Sequence, residues 1–283
     1  FGRGAQDDKA GIAIILMIVE IIKNLNIELK GDLIIETVIE DETTGNGSKT
    51  LCDNGILADG VIICDGTWHN RIIYGHLGQV WLTIEINGIE APACVEYRVK
   101  NPIYTGMAII KKIKQYILKL QKTYPKFENL DNSYFVNIGS FISEGWHGAT
   151  PKKVVIKLQI GFGPDKTCEE IIDDIKNICK KIDEAVIVKE YLLKTSSYKT
   201  NKNNYLINKL KKTILKNTGC NPEIVAVSGH CDMRHFKTEN ICLYGPGGGK
   251  NAHCSGEYYM LEHFPIVGEC ILDFIMEWCN ETR

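Results

Sequence analysis

Apolar residues crowd positions 8–25, DKAGIAIILMIVEIIKNL, on nearly every side of a helical wheel. That pattern predicts a helix buried against a sheet. DLIIETVIE (32–40) is apolar enough for a central strand. The turn-rich EDETTGNGS and a short helix follow, and GVIICD (60–65) reads as another strand. Strand–helix alternation of this kind predicts an α/β layer with a mainly parallel sheet.

The periodicity then changes. GQVWLTIEING (78–88) alternates as a half-buried strand, and 106–122 is an amphipathic helix with Lys on one face. YFVNIGSFI (134–142) and KVVIKLQIG (153–161) are strands, 167–182 is a second amphipathic helix, and AVIVKEYLL closes the run. The order β-α-β-β-α-β is ferredoxin-like and predicts an inserted domain over 77–192. PEIVAVSG, ICLYGPG and a closing helix over 262–279 resume the α/β pattern. The main domain is therefore expected from 1–76 plus 193–283.

Composition narrows the classes. The chain is 44% hydrophobic and 24% charged, as globular proteins are. Its 33 Lys and Arg against 35 Asp and Glu leave a net charge of -2, with no bulk basic field for nucleic acid. One stretch, 194–217, carries seven Lys and no acid. It reads as a hinge and the solvated face of a helix, or as a polyanion patch. Eleven cysteines, odd in number and without C-x-x-C spacing, point to reduced thiols in the cytoplasm. The longest apolar stretch, 11–22, contains Glu20 and is too short for a bilayer span.

Candidate chemistry sits at the carboxyl ends of the expected strands, where open α/β sheets place their sites. Asp7 precedes the first helix, Asp41 and Glu42 follow 32–40, Asp65 ends 60–65, and His253 lies in the glycine-rich GPGGGKNAH. Asp, Glu and His ligate hydrolytic zinc and similar ions, and a shared carboxylate allows a two-metal site. Such carboxylates also serve as N-caps and turn formers. GRGAQD has Asp7 where a dinucleotide fingerprint needs its third glycine, and GPGGGKN ends in Asn251 where a P-loop needs Ser or Thr. His230, Cys231, His235, Cys242, His253 and Cys254 fit no finger spacing, and a Cys–His nucleophile pair has no further support.

In this order the segments resemble the zinc-dependent aminoacylase/carboxypeptidase superfamily, in its acetylornithine deacetylase and succinyl-diaminopimelate desuccinylase branch. GRGAQDDKAG, IEDETTGNGS, ICDGT, GHLG with WLTIEING, SEGWHGATP, SGHCDMRHF and GPGGGKNAHCSGEY carry the likeness. The resemblance implies a phosphorylase/hydrolase-like catalytic domain with a lid and dimerisation domain. It implies hydrolysis of an N-acyl amino acid or short peptide by a homodimer holding two divalent ions, Zn or Co. Asp7 would bridge the ions, Asp65 would serve one, and Glu42 and His253 the other. Asp41 would be the general base and Arg234 the clamp on a substrate carboxylate. Dipeptidase or carboxypeptidase activity shares that metal set.

Three departures matter. Asp41 stands where the family base is Glu, and Pro92 stands where a lid His is usual. The family's H-x-D segment does not precede Asp7 in this sequence. A first ion would then keep Asp7 and Asp65 but lack an imidazole, and the catalytic domain would lack its opening strands. These departures raise the alternative of an impaired homologue that only binds a carboxylated metabolite or a partner. They also imply exposed apolar surface and aggregation of the chain as given.

Overall fold

A computed structural model describes residues 1–128, 130–247 and 252–281. Asn251, on which the P-loop comparison turned, lies outside the described residues. Two sheets organise the fold. The first is built from β1 (Val61–Ile63), β2 (Arg71–His76), β7 (Tyr198–Lys199), β8 (Glu223–Val227) and β9 (Ile241–Leu243). The second is built from β3 (Gly78–Asn87), β4 (Phe135–Ser143), β5 (Lys153–Phe162) and β6 (Ile187–Thr195).

The second sheet runs β4-β5-β3-β6, antiparallel throughout. α3 (Pro102–Thr123) follows β3, and α4 (Cys168–Ile182) follows β5, which gives the β-α-β-β-α-β order read from the periodicity. Alternate residues of β3 (Val80, Leu82, Ile84 and Ile86) are buried against Ile109, Ile113, Ile171 and Ile175 of the helices. Asn101 caps α3 and is followed by Pro102, whose missing N–H costs nothing at a first turn. Thr167 and Glu170 close a reciprocal capping box on α4.

The first sheet corrects one expectation. It is mixed, not mainly parallel: β1–β9 and β2–β8 are parallel, while β2–β9 and β2–β7 are antiparallel. The stretch 64–70 between β1 and β2 is shorter than the dozen or so residues a parallel crossover needs, so β2 must run back. α1 (Lys9–Asn24), α5 (Tyr205–Thr218) and α6 (His263–Cys279) pack over one face on Ile72, Tyr74 and Cys242. Ile73, Met233, Ile241 and Leu243 form a smaller core on the other. The Lys-rich stretch supplies β7 and α5, and Lys194, Lys199, Lys209 and Lys216 all pair with carboxylates. That matches a solvated face better than a polyanion patch. All eleven cysteines are unbridged. No helix among the described residues is long and apolar enough to cross a membrane.

Residues 32–40 give the second correction. They belong to no strand, and Ile34 is 51% and Ile39 70% exposed. A strand exists only through a paired ladder, and no neighbour pairs here among the described residues. Instead a cavity of about 560 Å³ is lined by this segment, β1, α1 and α6, with Ile12, Ile15, Ile34, Val61 and Trp278 on its walls. Among the described residues β1 pairs with β9 on one side only, which leaves its other edge open. For the same reason α1 is not buried all round: Ile14 and Ile18 are covered, while Ile12 and Leu16 are exposed. An open edge beside apolar surface favours self-association. Ile34→Lys, which sets a charge against that edge, is expected to reduce light scattering of the purified chain. The free energy of unfolding should change by no more than the ~0.5 kcal/mol typical of surface changes.

Candidate metal centre

Three segments remote in sequence meet at one end of the first sheet. Loop 2–7 brings Asp7 to the start of α1. Glu42 lies in a turn opened by Glu40 at φ 68, whose carbonyl accepts the N–H groups of Thr43 and Gly45 at 3.1 and 2.9 Å. Gly45, at φ 67, lets this turn close on the stretch 232–235. A Cβ there would stand 2.3 Å from Asp232 Oδ1. His253 follows the glycine-rich loop at φ 62, a left-handed conformation uncommon outside glycine and enriched at functional sites. Gly247 lies so close to the 65–67 segment that a Cβ would fall 1.1 Å from the Thr67 carbonyl oxygen. This contact seats Gly247 against the stretch just past β1 that carries Asp65.

His253 Nε2 is 2.8 Å from Asp7 Oδ2 and 3.0 Å from Glu42 Oε1. Ligand atoms of Asp7, Glu42 and His253 all lie within 4.8 Å of one another, the one such gathering found among the described residues. The alternative cluster of His230, Cys231, His235, Cys242 and Cys254 does not form. Burial also pushes the Cys231 thiol up, which keeps it protonated and a poor nucleophile.

Around this triad the charge is one-sided. Burial, reinforced by Asp65 and Asp232, raises Asp41 to about 8. Burial and Asp7 raise Asp65 to about 6, although Gly66 donates its N–H to that carboxylate. Asp8 is raised to about 9, by burial first and then by Asp65, Asp7 and Asp41. Burial and Asp7 raise Glu42. Carboxyl groups forced together in a poorly hydrated place resist ionisation unless a cation joins them. The donor set of carboxylates plus imidazole therefore fits a divalent ion. Asp65 stands outside the 4.8 Å triad but within its field.

Arg234 packs beside the acidic turn. Its guanidinium donates to the carbonyls of Cys231 and Thr44, at 2.5 and 3.2 Å, and lies 3.5 Å from Asp232 Oδ1. The side chain is 11% exposed. Two site groups, Asp8 and Asp232, are not singled out by any motif in the sequence. Asp8 was hidden beside Asp7, and Asp232, which accepts from Ser48 Oγ at 2.7 Å, lay beside Arg234. His230 Nε2 donates to the Asp41 carbonyl at 3.2 Å, since a carbonyl can only accept. The repeated acids of QDDK and the acid–base alternation of DMRH were the only signals.

The α/β fold with mixed sheets and a carboxylate–imidazole gathering that fits a divalent ion define the class, and comparison with known proteins gives the family. Residues 1–277 match the model of peptidase family M20/M25/M40, to which the chain belongs. Among similar curated proteins, the N-formyl-4-amino-5-aminomethyl-2-methylpyrimidine deformylase of Bacillus subtilis is 25% identical, over 100% of this chain and 72% of its own length. A probable succinyl-diaminopimelate desuccinylase of Staphylococcus aureus is 23% identical, over 98% of this chain and 76% of its own. Among solved structures, the M20 metallo-carboxypeptidase Sso-CP2 of Sulfolobus solfataricus superposes with a TM-score of 0.75 at 15% identity, covering 96% of this chain and 76% of that one. The di-peptidase Dug1p of Saccharomyces cerevisiae gives 0.73 at 16%, covering 100% and 73%.

Proposed function

We propose that this chain carries the centre of a metal-dependent amidohydrolase acting on an N-acyl amino acid, in the manner of a deacetylase or desuccinylase. One observation carries the reading: Asp7, Glu42 and His253, drawn from the two ends of the chain, converge within 4.8 Å. Asp7 would be the shared ligand, Glu42 and His253 would complete one ion's set, and Asp65 would begin the other's. When bound, a divalent ion supplies Lewis-acid polarisation of a carbonyl and a lowered pKa for water.

The chain's own residues supply the proton traffic and orientation. Asp41 takes a proton from the attacking water and returns it to the leaving nitrogen. In the metal-free chain burial and neighbouring acids hold its carboxyl protonated near neutrality, and a cation bound beside it would favour the ionised form that a base needs. Arg234 offers guanidinium N–H groups to a substrate carboxylate. His230, holding the Asp41 carbonyl, restrains the base. The division into 1–76 with 193–283 and a lid over 77–192 belongs to this reading, as does a homodimer joined through an edge of the lid sheet. Exposed Ile187, Tyr191 and Leu192 on edge strand β6 support that pairing.

Zinc- or cobalt-loaded protein should hydrolyse N-acetyl, N-succinyl or N-formyl substrates faster than simple dipeptides. Preference for dipeptides would move the reading to a dipeptidase of the same family. Tight binding of an acyl amino acid without turnover would identify an impaired homologue, as the Asp41 and Pro92 departures suggest.

A further inference from the structure

Loop 2–7, which carries Asp7, has no helix or strand of its own, and its position is set from the far end of the chain. The Glu257 side chain is almost wholly buried, with the residue 2% exposed. Its Oε2 accepts the N–H of Gly4 at 2.8 Å, and its Oε1 accepts those of Gln6 and Asp7 at 2.9 and 3.0 Å. The Gly2 N–H donates to the Glu257 carbonyl at 2.8 Å. Next to it, the rings of Phe1 and Tyr258 lie 5.5 Å apart. Burial opposes the charge on Glu257, but the three amide donors outweigh it and hold the carboxyl below the usual glutamate range. Charge-assisted bonds of this kind are about twice as strong as neutral ones. Only Cys254, Ser255 and Gly256 separate Glu257 from His253. One carboxylate thus ties the Asp7 loop to the segment that bears His253, across 250 residues of sequence.

We propose that Glu257 is a positioning residue that fixes Asp7 against His253 and Glu42, and so sets the affinity of this centre for a divalent cation. The proposal rests on the metal reading given above. Glu257 touches no reacting atom and acts only through the backbone of the loop. Outer partners of metal ligands characteristically contribute about 10–100-fold in affinity. A glutamine at 257 has one acceptor oxygen in place of two. It would turn an NH2 group toward either Gly4 or the Gln6–Asp7 pair, leaving a buried N–H unpaired.

The test is zinc binding by the full 283-residue chain, read by competition with a chromophoric chelator, for the parent, Glu257→Gln, Glu257→Asp and Asp7→Asn. Amide exchange at Gly4, Gln6 and Asp7 is followed in the metal-free proteins. Thermal unfolding of the same samples shows which variants fold. Glu257→Gln is expected to weaken zinc binding about 10–100-fold and to speed exchange at those three amides. Glu257→Asp, which keeps two charged acceptors, should recover part of the affinity, a rescue that a merely space-filling side chain would not show. Unchanged zinc affinity in Glu257→Gln beside a clear loss in Asp7→Asn overturns the proposal while the metal reading stands. Should the parent itself bind no zinc, the metal reading falls. Unchanged exchange in Glu257→Gln would then overturn the positioning role too, and faster exchange would uphold it.

Discussion

Replacing Asp41 by Asn is expected to lower kcat for amide hydrolysis by about 10²–10⁴-fold while leaving metal content unchanged. An amide keeps the size of the carboxylate but cannot take a proton from water. Asp41 adjoins Glu42 in the chain, yet it stands outside the triad of donors within 4.8 Å. The variant should therefore separate chemistry from metal binding, with kcat and metal content measured on the same preparation. The side chain is one methylene shorter than the Glu usual at this position in the family it resembles. A misplacement of about 1 Å can cost about a hundredfold in rate. Asp41→Glu is accordingly expected to preserve or raise kcat. A large fall in kcat for Asp41→Glu, with metal still bound, would count against Asp41 as the base.

The second large effect is on stability. In the metal-free chain, Asp65, Asp41 and Asp8 are raised to about 6, 8 and 9 from an ordinary 3.8. A carboxyl whose folded pKa lies above its unfolded value favours the folded state while protonated. That contribution is fully present below about pH 4 and is lost as pH rises through the folded values. Between pH 5 and 9 the metal-free protein should therefore lose stability from these groups as each carboxyl ionises in the folded state. For a chain of this size each kcal/mol corresponds to about 2–4 °C in Tm. Zinc at a hundredfold excess over its Kd should restore about 2.7 kcal/mol. Thermal scans across that pH range, with chelator and with zinc, check both signs. A metal-free Tm that rises from pH 5 to 9 would contradict the crowded, uncompensated acids.

The same residues show how far sequence reaches. The second sheet and its two helices were legible in full, because period-two and period-3.6 patterns are local and each element buries one face. The caps at Asn101 and Thr167 are local too. Asp7, Glu42 and His253 were legible as candidates, because metal chemistry restricts the residue types and strand ends restrict the place. Residues 32–40 were misread, because apolar content specifies burial but not a partner for the backbone. The mixed direction of the first sheet followed from the short 64–70 connection, which composition does not reveal.

By itself, then, the sequence determined the β-α-β-β-α-β unit and the residue types able to hold a cation. Only the tertiary structure decided which of them meet. Distances between segments 250 residues apart arise from the packing of whole layers, as when Glu257 draws loop 2–7 to the His253 segment. The raised pKa values of Asp8, Asp41 and Asp65 likewise come from burial and neighbours that no local pattern encodes.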